Sequence, residues 1–211
     1  MNNPGKLFVF CGLDGSGKTT QVNLLARRLE KEMFSIYLTS EPTPWYLRDP
    51  LVQNYFAEGQ IDENGLAALA LFSAADRARH VREAIIPNLN AGKMVISSRY
   101  VFSAYAYFFA RGLRDQTWLE TINRYAIDPD LTFFLDLEPE VALSRISQRG
   151  DKAKREEMNL SRIREIRQRF LSFASDDFCV LDANRGEDEL HQQIISILWP
   201  KLPSSSRLAF D

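Results

Sequence analysis

The residues best suited to chemistry lie in one segment near the N-terminus, GLDGSGKT, from Gly12 to Thr19. It fits the spacing G-x-x-x-x-G-K-T, in which glycines let backbone N–H groups turn inward around phosphate oxygens without a clash from Cβ. Lys18 would place a mobile cation on the β and γ phosphates, and the Thr19 hydroxyl would be a ligand for Mg²⁺. The segment predicts a nucleoside triphosphate site; the alternative is a chance glycine-rich turn.

The elements that must position this segment alternate between short apolar runs and longer stretches of helical period. The runs lack the alternation of a solvated sheet, so we predict strands buried on both faces. The predicted strands are 7–11, 34–38, 94–97, 131–137 and 178–182. The predicted helices are 18–32, 62–89, 115–126, 139–149, 157–174 and 187–198. This order predicts an α/β fold, a five-stranded parallel sheet flanked by helices, with ligands at the carboxyl ends of the strands.

The composition is that of an ordinary globular protein. The chain has 211 residues, is 45% hydrophobic and carries a formal net charge of -2, which argues against disorder, a DNA coat and a polybasic membrane binder. Cys11 and Cys179 do not have the spacing of a disulfide framework or a zinc site. No signal peptide is recognisable, and no apolar run approaches the roughly 18 residues of a membrane helix. We expect a cytoplasmic protein without nucleic-acid or membrane partners, one domain over 1–200 and a flexible tail over 201–211.

The charge is nevertheless unevenly distributed along the chain. Residues 145–169 contain nine Lys or Arg and four Asp or Glu, so the rest of the chain carries a net charge of -7. Within this segment, GDKAKREEMNLS (150–161) has neither a strand pattern nor a core face. We predict an exposed loop that runs into a helix, in a basic segment that faces phosphate groups.

Six segments together resemble the thymidylate kinase family of P-loop nucleoside monophosphate kinases. In chain order they are FVFCGLDGSGKTTQ (8–21), SEP (40–42), FSAADRARH (72–80), SRYVFSAYAY (98–107), DLEPEVALSRISQRG (136–150) and LDAN (181–184). The resemblance spans residue 6 to about residue 198. It implies transfer of a phosphoryl group from ATP to dTMP, giving dTDP and ADP, with Mg²⁺, by an enzyme that forms homodimers.

The resemblance also implies the residues that bind the acceptor. Arg99 matches the arginine that grips the acceptor phosphate, and Asp14 lies near that phosphate and the metal. Arg77 and Phe72 resemble the pair that hydrogen-bonds and stacks on thymine, and Tyr107 resembles the aromatic under the deoxyribose. The two aromatics are alternatively core residues, and Arg77 alternatively pairs with an acid. The implied substrate-binding residues are Asp14, Glu41, Phe72, Arg77, Arg99 and Tyr107.

On the donor side, the resemblance implies that a lid at about 148–160 supplies cations and that Arg145 stacks on adenine, with the loop 183–185 closing over the base edge. A solvated charged helix is the alternative for the lid cations. The implied ATP-binding residues are Gly12, Leu13, Asp14, Gly15, Ser16, Gly17, Lys18, Thr19, Thr20 and Arg145. The implied catalytic residues are Lys18, Arg99, Asp14, Arg149 and Lys154.

Several positions depart from the family pattern and concern mainly the acceptor half of the site. Ser98 replaces an aspartate near the metal, and Cys11 replaces a glutamate before the first loop glycine. Phe72 precedes Arg77 by five residues where four is usual, and Ala104 replaces a polar residue that often reads the base. These departures leave two alternatives open: the same fold acting on another nucleoside monophosphate or a deoxynucleoside, and a nucleotide-binding homologue of low activity.

Overall fold

The computed structural model describes residues 5–59, 61–148 and 159–202. The predicted lid cations Arg149 and Lys154 lie outside the described residues. So do nearly all of the predicted lid (148–160) and most of the predicted tail (201–211).

Five parallel strands form one sheet in the order β2-β3-β1-β4-β5. The strands are β1 Lys6–Gly12, β2 Ile36–Ser40, β3 Met94–Ser98, β4 Leu131–Asp136 and β5 Phe178–Asp182. The carboxyl ends lie side by side, because Phe10 of β1 is paired with Ser98 of β3, and Ser98 is paired with Ser40 of β2. The predicted α/β fold with a five-stranded parallel sheet is therefore confirmed.

Burial on both faces holds only for the three central strands. Every residue of β4 except its last is buried. The edge strand β2 has only half-buried and exposed positions, and the edge strand β5 buries only Phe178 and Leu181. The prediction that all five strands are buried on both faces was therefore wrong for the two edges. An apolar run in the sequence does not reveal which strand lies at the edge of the sheet.

Helices cover the sheet and extend beyond its carboxyl edge. They are α1 Lys18–Lys31, α2 Pro44–Leu47, α3 Pro50–Glu58, α4 Glu63–His80, α5 Ile86–Asn90, α6 Val101–Arg111, α7 Gln116–Ile122, α8 Pro139–Gln148, α9 Leu160–Leu171 and α10 Glu187–Leu198. A π-helical turn, Val81–Ile85, joins α4 to α5, and a 3-10 turn, Trp199–Lys201, follows α10. The helix predicted over 62–89 is thus interrupted just before Pro87, which cannot donate a backbone hydrogen bond.

Three helices, α2, α3 and α6, were not predicted. Thr43 and Asp49 cap α2 and α3 by accepting a hydrogen bond from the backbone N–H two residues further on, at 3.2 Å and 2.9 Å. A proline follows each cap at the first helical position, where a missing N–H costs nothing. These helices lie beyond the carboxyl edge of the sheet, where they form part of the wall of the site.

The buried apolar side chains form two clusters. The larger contains the central strands and the faces of α1, α9 and α10 that pack on them. The smaller lies among α2, α3, α4, α6 and α7. Its members are Tyr46, Val52, Tyr55, Leu66, Leu69, Ala70, Ala104, Phe108 and Leu119. The second cluster packs these helices against one another beyond the carboxyl edge of the sheet.

Candidate active site

The phosphate-binding segment connects β1 to α1 with the backbone that its glycines predict. Gly12, Gly15 and Gly17 have φ values of 149°, 84° and 89°, which L side chains rarely adopt. A Cβ on Gly12 would also lie 2.6 Å from Ser16 Oγ and 2.9 Å from the carbonyl oxygen of Leu135. The turn delivers the chain directly into α1, whose N-terminus is a favourable place for an anion.

The side chain of Lys18 is folded back on the loop and is almost completely buried. Its Nζ donates to the carbonyl oxygens of Gly12 and Leu13, at 3.1 Å and 2.7 Å, and lies 3.6 Å from Asp14 Oδ1. Burial, together with the nearby charge of Arg99, lowers the pKa of Lys18 to about 7. A phosphate anion would restore the charge of this amine.

Arg99 follows β3 and lies next to the phosphate loop. Its backbone N–H donates to the carbonyl oxygen of Phe10 at 2.8 Å, and its φ of 69° turns the chain away from the sheet. The guanidinium donates to the carboxylate of Asp14 and lies 5.1 Å from the ring centre of Tyr107. Burial opposes the charge of Arg99, but Tyr107 and Asp14 outweigh it and raise the pKa of Arg99, so this residue stays charged.

Arg77 lies on α4 and is only 4% exposed. It lines a cavity at the carboxyl edge of the sheet that Arg99 also lines. Its Nε donates to Glu41 Oε2 at 2.8 Å, and its Nη1 donates to Asn123 Oδ1. Glu41 also contacts His80 Nδ1 at 3.0 Å, and His80 Nε2 contacts Thr39 Oγ1 at 2.7 Å. Arg77 thus pairs with an acid and also lines the cavity, so the two roles that the sequence offered as alternatives are compatible.

One cavity of about 310 Å³ brings most of the predicted acceptor residues together. Five of the six line it: Asp14, Glu41, Arg77, Arg99 and Tyr107. Its apolar wall includes Tyr46, Leu47, Phe56 and Phe108. A cavity lined by arginines and by an aromatic wall suits a flat, largely apolar ring that carries a phosphate.

Phe72 is not among the residues that line this cavity in the described part of the chain. Its ring packs between Trp45 and Tyr46, with ring centres 4.4 Å and 5.4 Å away. Ser73, four residues before Arg77, lines the cavity from the same helix. The spacing of five residues turns the aromatic side chain away, and Tyr46 of α2 provides an aromatic wall instead.

The residues predicted for the donor side lie around the loop. Arg145 of α8 donates to the carbonyl oxygens of Gly15, at 3.4 Å, and Ala183, at 3.2 Å, so it joins the loop to the segment after β5. The Thr19 side chain is exposed at the start of α1, Thr20 is half-buried, and Ser16 is buried with no hydrogen-bond partner for its Oγ. These positions leave the loop accessible to a triphosphate.

The two positions that depart from the family pattern and lie nearest the loop, Ser98 and Cys11, have different surroundings. Ser98 lines the cavity at the end of β3. Cys11 is fully buried in the core, with Ser103 Oγ 3.7 Å from its sulfur, and burial raises the pKa of its thiol to about 11. A neutral, buried thiol does not replace a carboxylate.

Several residues of the site were missed in the sequence. Tyr46 and Phe56 belong to the helices that were not predicted, and the proline after each cap was the signal that would have revealed those helices. Arg111 ends α6 and also lines the cavity, 4.9 Å from the ring centre of Tyr55. Gly112, at the αL position after α6, is an ordinary signal for the end of a helix.

Within 5–59, 61–148 and 159–202, no three His, Cys, Asp or Glu side chains are grouped so that they hold a metal ion. Across the same ranges, no helix has the length and apolar character required to span a bilayer.

Comparison with known proteins agrees with this geometry. The profile of the family described as "Thymidylate kinase" matches residues 10–194. A probable thymidylate kinase of Thermococcus kodakarensis is 40% identical, over 89% of this chain and 94% of its own length. One from Pyrococcus abyssi is 36% identical over 94% and 98%, and a thymidylate kinase of Halothermothrix orenii is 38% identical over 87% and 91%. By the extent of this match and the order of its motifs, the chain belongs to the thymidylate kinase family.

Proposed function

We propose that this chain transfers the γ-phosphoryl group of ATP to dTMP, giving dTDP and ADP. The family and the relatives' names support this activity. One observation of the site carries it: the carboxylate of Asp14 contacts both Lys18, in the phosphate loop, and Arg99, in the cavity wall. The proposed cations for donor and acceptor phosphates are therefore adjacent, as phosphoryl transfer between two anions requires.

On the donor side, the loop N–H groups and Lys18 would bind the triphosphate. Lys18 would exchange its two backbone carbonyl partners for phosphate oxygens, and its charge would then balance the negative charge of the transferred group. Arg145, which donates to the carbonyl oxygens of Gly15 and Ala183, would contact the adenine. These assignments, with Gly12 to Thr20, form the proposed ATP site.

On the acceptor side, Arg99 would hold the phosphate of dTMP close to the loop. A planar guanidinium bonds two phosphate oxygens at once, which fixes the direction of attack on the γ-phosphorus. Arg77 would donate to a carbonyl of the base, Tyr107 would lie against the sugar, and Tyr46 and Phe108 would contact the base. No protein nucleophile or base is needed, since the acceptor phosphate is already an anion.

Mg²⁺ is part of this proposal. The Thr19 hydroxyl and the Asp14 carboxylate would hold it, because Mg²⁺ accepts one or two protein oxygens and completes its shell with phosphate and water. When bound, Mg²⁺ neutralises phosphate charge.

We further propose a lid at about 148–160, a homodimer and a cytoplasmic location, in one domain over 1–200. The lid, with Arg149 and Lys154, would connect Gln148, where α8 ends, to Asn159, which caps α9.

Leu71 of α4 is 50% exposed, and such an apolar side chain suits burial against a second copy. Sedimentation at two concentrations tests the dimer.

The proposal is tested by Lys18→Ala and Arg99→Ala in an assay that couples ADP formation to dTMP. Each removes a charge that the transition state needs, so we expect each to reduce kcat/KM by at least about a hundredfold. Lys201→Ala is the control, because Lys201 and its partner Asp177 are both exposed, and Asp177 immediately precedes β5, at the edge of the sheet opposite the cavity. Wild-type rates for either Lys18→Ala or Arg99→Ala would overturn the assignment.

A further inference from the structure

We propose that Asn123 is a positioning residue for acceptor recognition, one that aims the guanidinium of Arg77 at the base. The inference rests on the function proposed above. It adds Asn123, which follows the last residue of α7, to the set that decides which base is accepted. In the described part of the chain, no residue of α7 lines the cavity.

Asn123 is placed for this role at the C-terminal end of α7. Its side chain is buried, with 5% of the residue exposed. Its Nδ2 donates to the carbonyl oxygen of Leu119 at 2.8 Å, and its Oδ1 accepts from Arg77 Nη1. The bond from the amide nitrogen to Leu119 orients the amide so that its oxygen, the acceptor that a guanidinium requires, faces Arg77.

Arg77 is thereby held from two separate elements. Glu41, which follows β2, accepts from Nε at 2.8 Å and is itself held by His80, while Asn123 accepts from Nη1. Among the described residues, Nη2 has no hydrogen-bond partner, and Arg77 lines the cavity. One bond at Nε would leave the long side chain free to pivot, whereas two bonds from different directions fix the plane of the guanidinium.

A fixed N–H donor distinguishes a carbonyl from an amino group. Thymine carries a carbonyl oxygen at position 4 of its ring, and 5-methylcytosine carries an amino group there, with the same 5-methyl group beside it. A guanidinium that is held in place would bond to the first and oppose the second, because two donors would face each other. A guanidinium that pivots would discriminate less.

The experiment compares kcat/KM for dTMP and for 5-methyl-dCMP in the wild type, Asn123→Leu and Asn123→Asp. Both substitutions remove the donor to Leu119, so both perturb the end of α7. Only Asn123→Leu removes the oxygen that faces Arg77. Melting temperatures and the KM for ATP are measured for all three proteins, and Asn123→Ala replaces Asn123→Leu if the latter does not fold.

We expect Asn123→Leu to lower the preference for dTMP by roughly ten- to hundredfold, since an oriented bond to a charged group is lost. The change should fall on the KM for dTMP, with the KM for ATP unchanged, and Asn123→Asp should keep most of the preference. Equal loss in both variants, or a wild-type preference in Asn123→Leu, would overturn the inference alone. A wild type that phosphorylates neither acceptor would overturn the proposed function as well.

Discussion

At the scale of single residues, Asp14 joins the two halves of the proposed reaction. Its carboxylate is about one-third exposed, lies 3.6 Å from Lys18 Nζ and pairs with Arg99. Two cations that would otherwise repel each other are therefore held close to one anion before any nucleotide binds. This arrangement places positive charge where the transferred phosphoryl group would lie.

Lys18 leads to a prediction about pH. Its pKa of about 7 in the nucleotide-free protein means that, above pH 7, an increasing fraction of molecules must take up a proton before they bind a triphosphate. We expect kcat/KM for ATP to fall as the pH rises from 7 to 9, by up to about tenfold per unit. Initial rates at low ATP and saturating dTMP measure this decline.

The control for this prediction is kcat at saturating ATP. Bound phosphate raises the pKa of an amine that it contacts, so kcat should change far less over the same pH range. Equal kcat/KM for ATP at pH 6.5 and pH 9 would show that Lys18 is already fully charged, and would contradict the account of its burial.

At the scale of elements, one arginine attaches α9 to the end of β4. Arg167 donates from Nε and Nη2 to the two carboxylate oxygens of Asp136, at 2.7 Å and 3.0 Å, and also reaches Glu138. Next to this pair, Phe170 of α9 stacks on Phe134 of β4 with ring centres 4.8 Å apart. The basic charge of α9 therefore partly serves to dock the helix rather than to contact phosphate.

We predict that Arg167→Met lowers the free energy of unfolding by about 2 kcal/mol, because the half-buried Asp136 would lose a two-bond partner. Urea unfolding measures the change. Arg164→Met is the matched control on the same helix, because Arg164 and Glu140 are both exposed and such pairs contribute little. The same loss of stability in both variants would show that the Arg167 pair has no special role.

The sequence predicts elements well where one pattern decides them and poorly where tertiary contacts do. The runs at β1, β3 and β4 predict strands within a residue or two, since they are mostly apolar. The helix α6 was missed because its sequence, VFSAYAYFFAR, is rich in aromatic residues that also suit strands. Its helical conformation brings buried Ala104 and Phe108 to the second cluster while Tyr107 faces the phosphate loop.

At the scale of the whole molecule, the candidate site was predictable where adjacent residues form it. The loop from Gly12 to Thr19 could be located from its spacing alone, and Arg99 from the resemblance of the segment 98–107 to the family pattern. The partners of Arg77 could not be found in this way. Glu41 and Asn123 are 36 and 46 residues away in sequence, and only the packing of α4 against α7 and β2 brings them together.

The distribution of charge along the chain is also explained at this scale. A net charge of -2 conceals a basic segment over 145–169 on an acidic remainder. In the described part of that segment, Arg164 and Arg167 pair with acids at the start of α8 and the end of β4, and Arg145 binds backbone carbonyls. Only part of the positive charge is therefore available to nucleotide phosphates.

The central claim is that the loop binds ATP and the cavity binds dTMP, so that the γ-phosphoryl group is transferred from one to the other. The most direct test is a panel of acceptors, dTMP, dUMP, other nucleoside monophosphates and thymidine, each supplied with ATP and Mg²⁺ to the wild-type protein while ADP formation is followed. We predict the highest kcat/KM for dTMP, with dTDP as the product. Faster turnover of any other acceptor, or ATP binding without transfer to any of them, would contradict the claim.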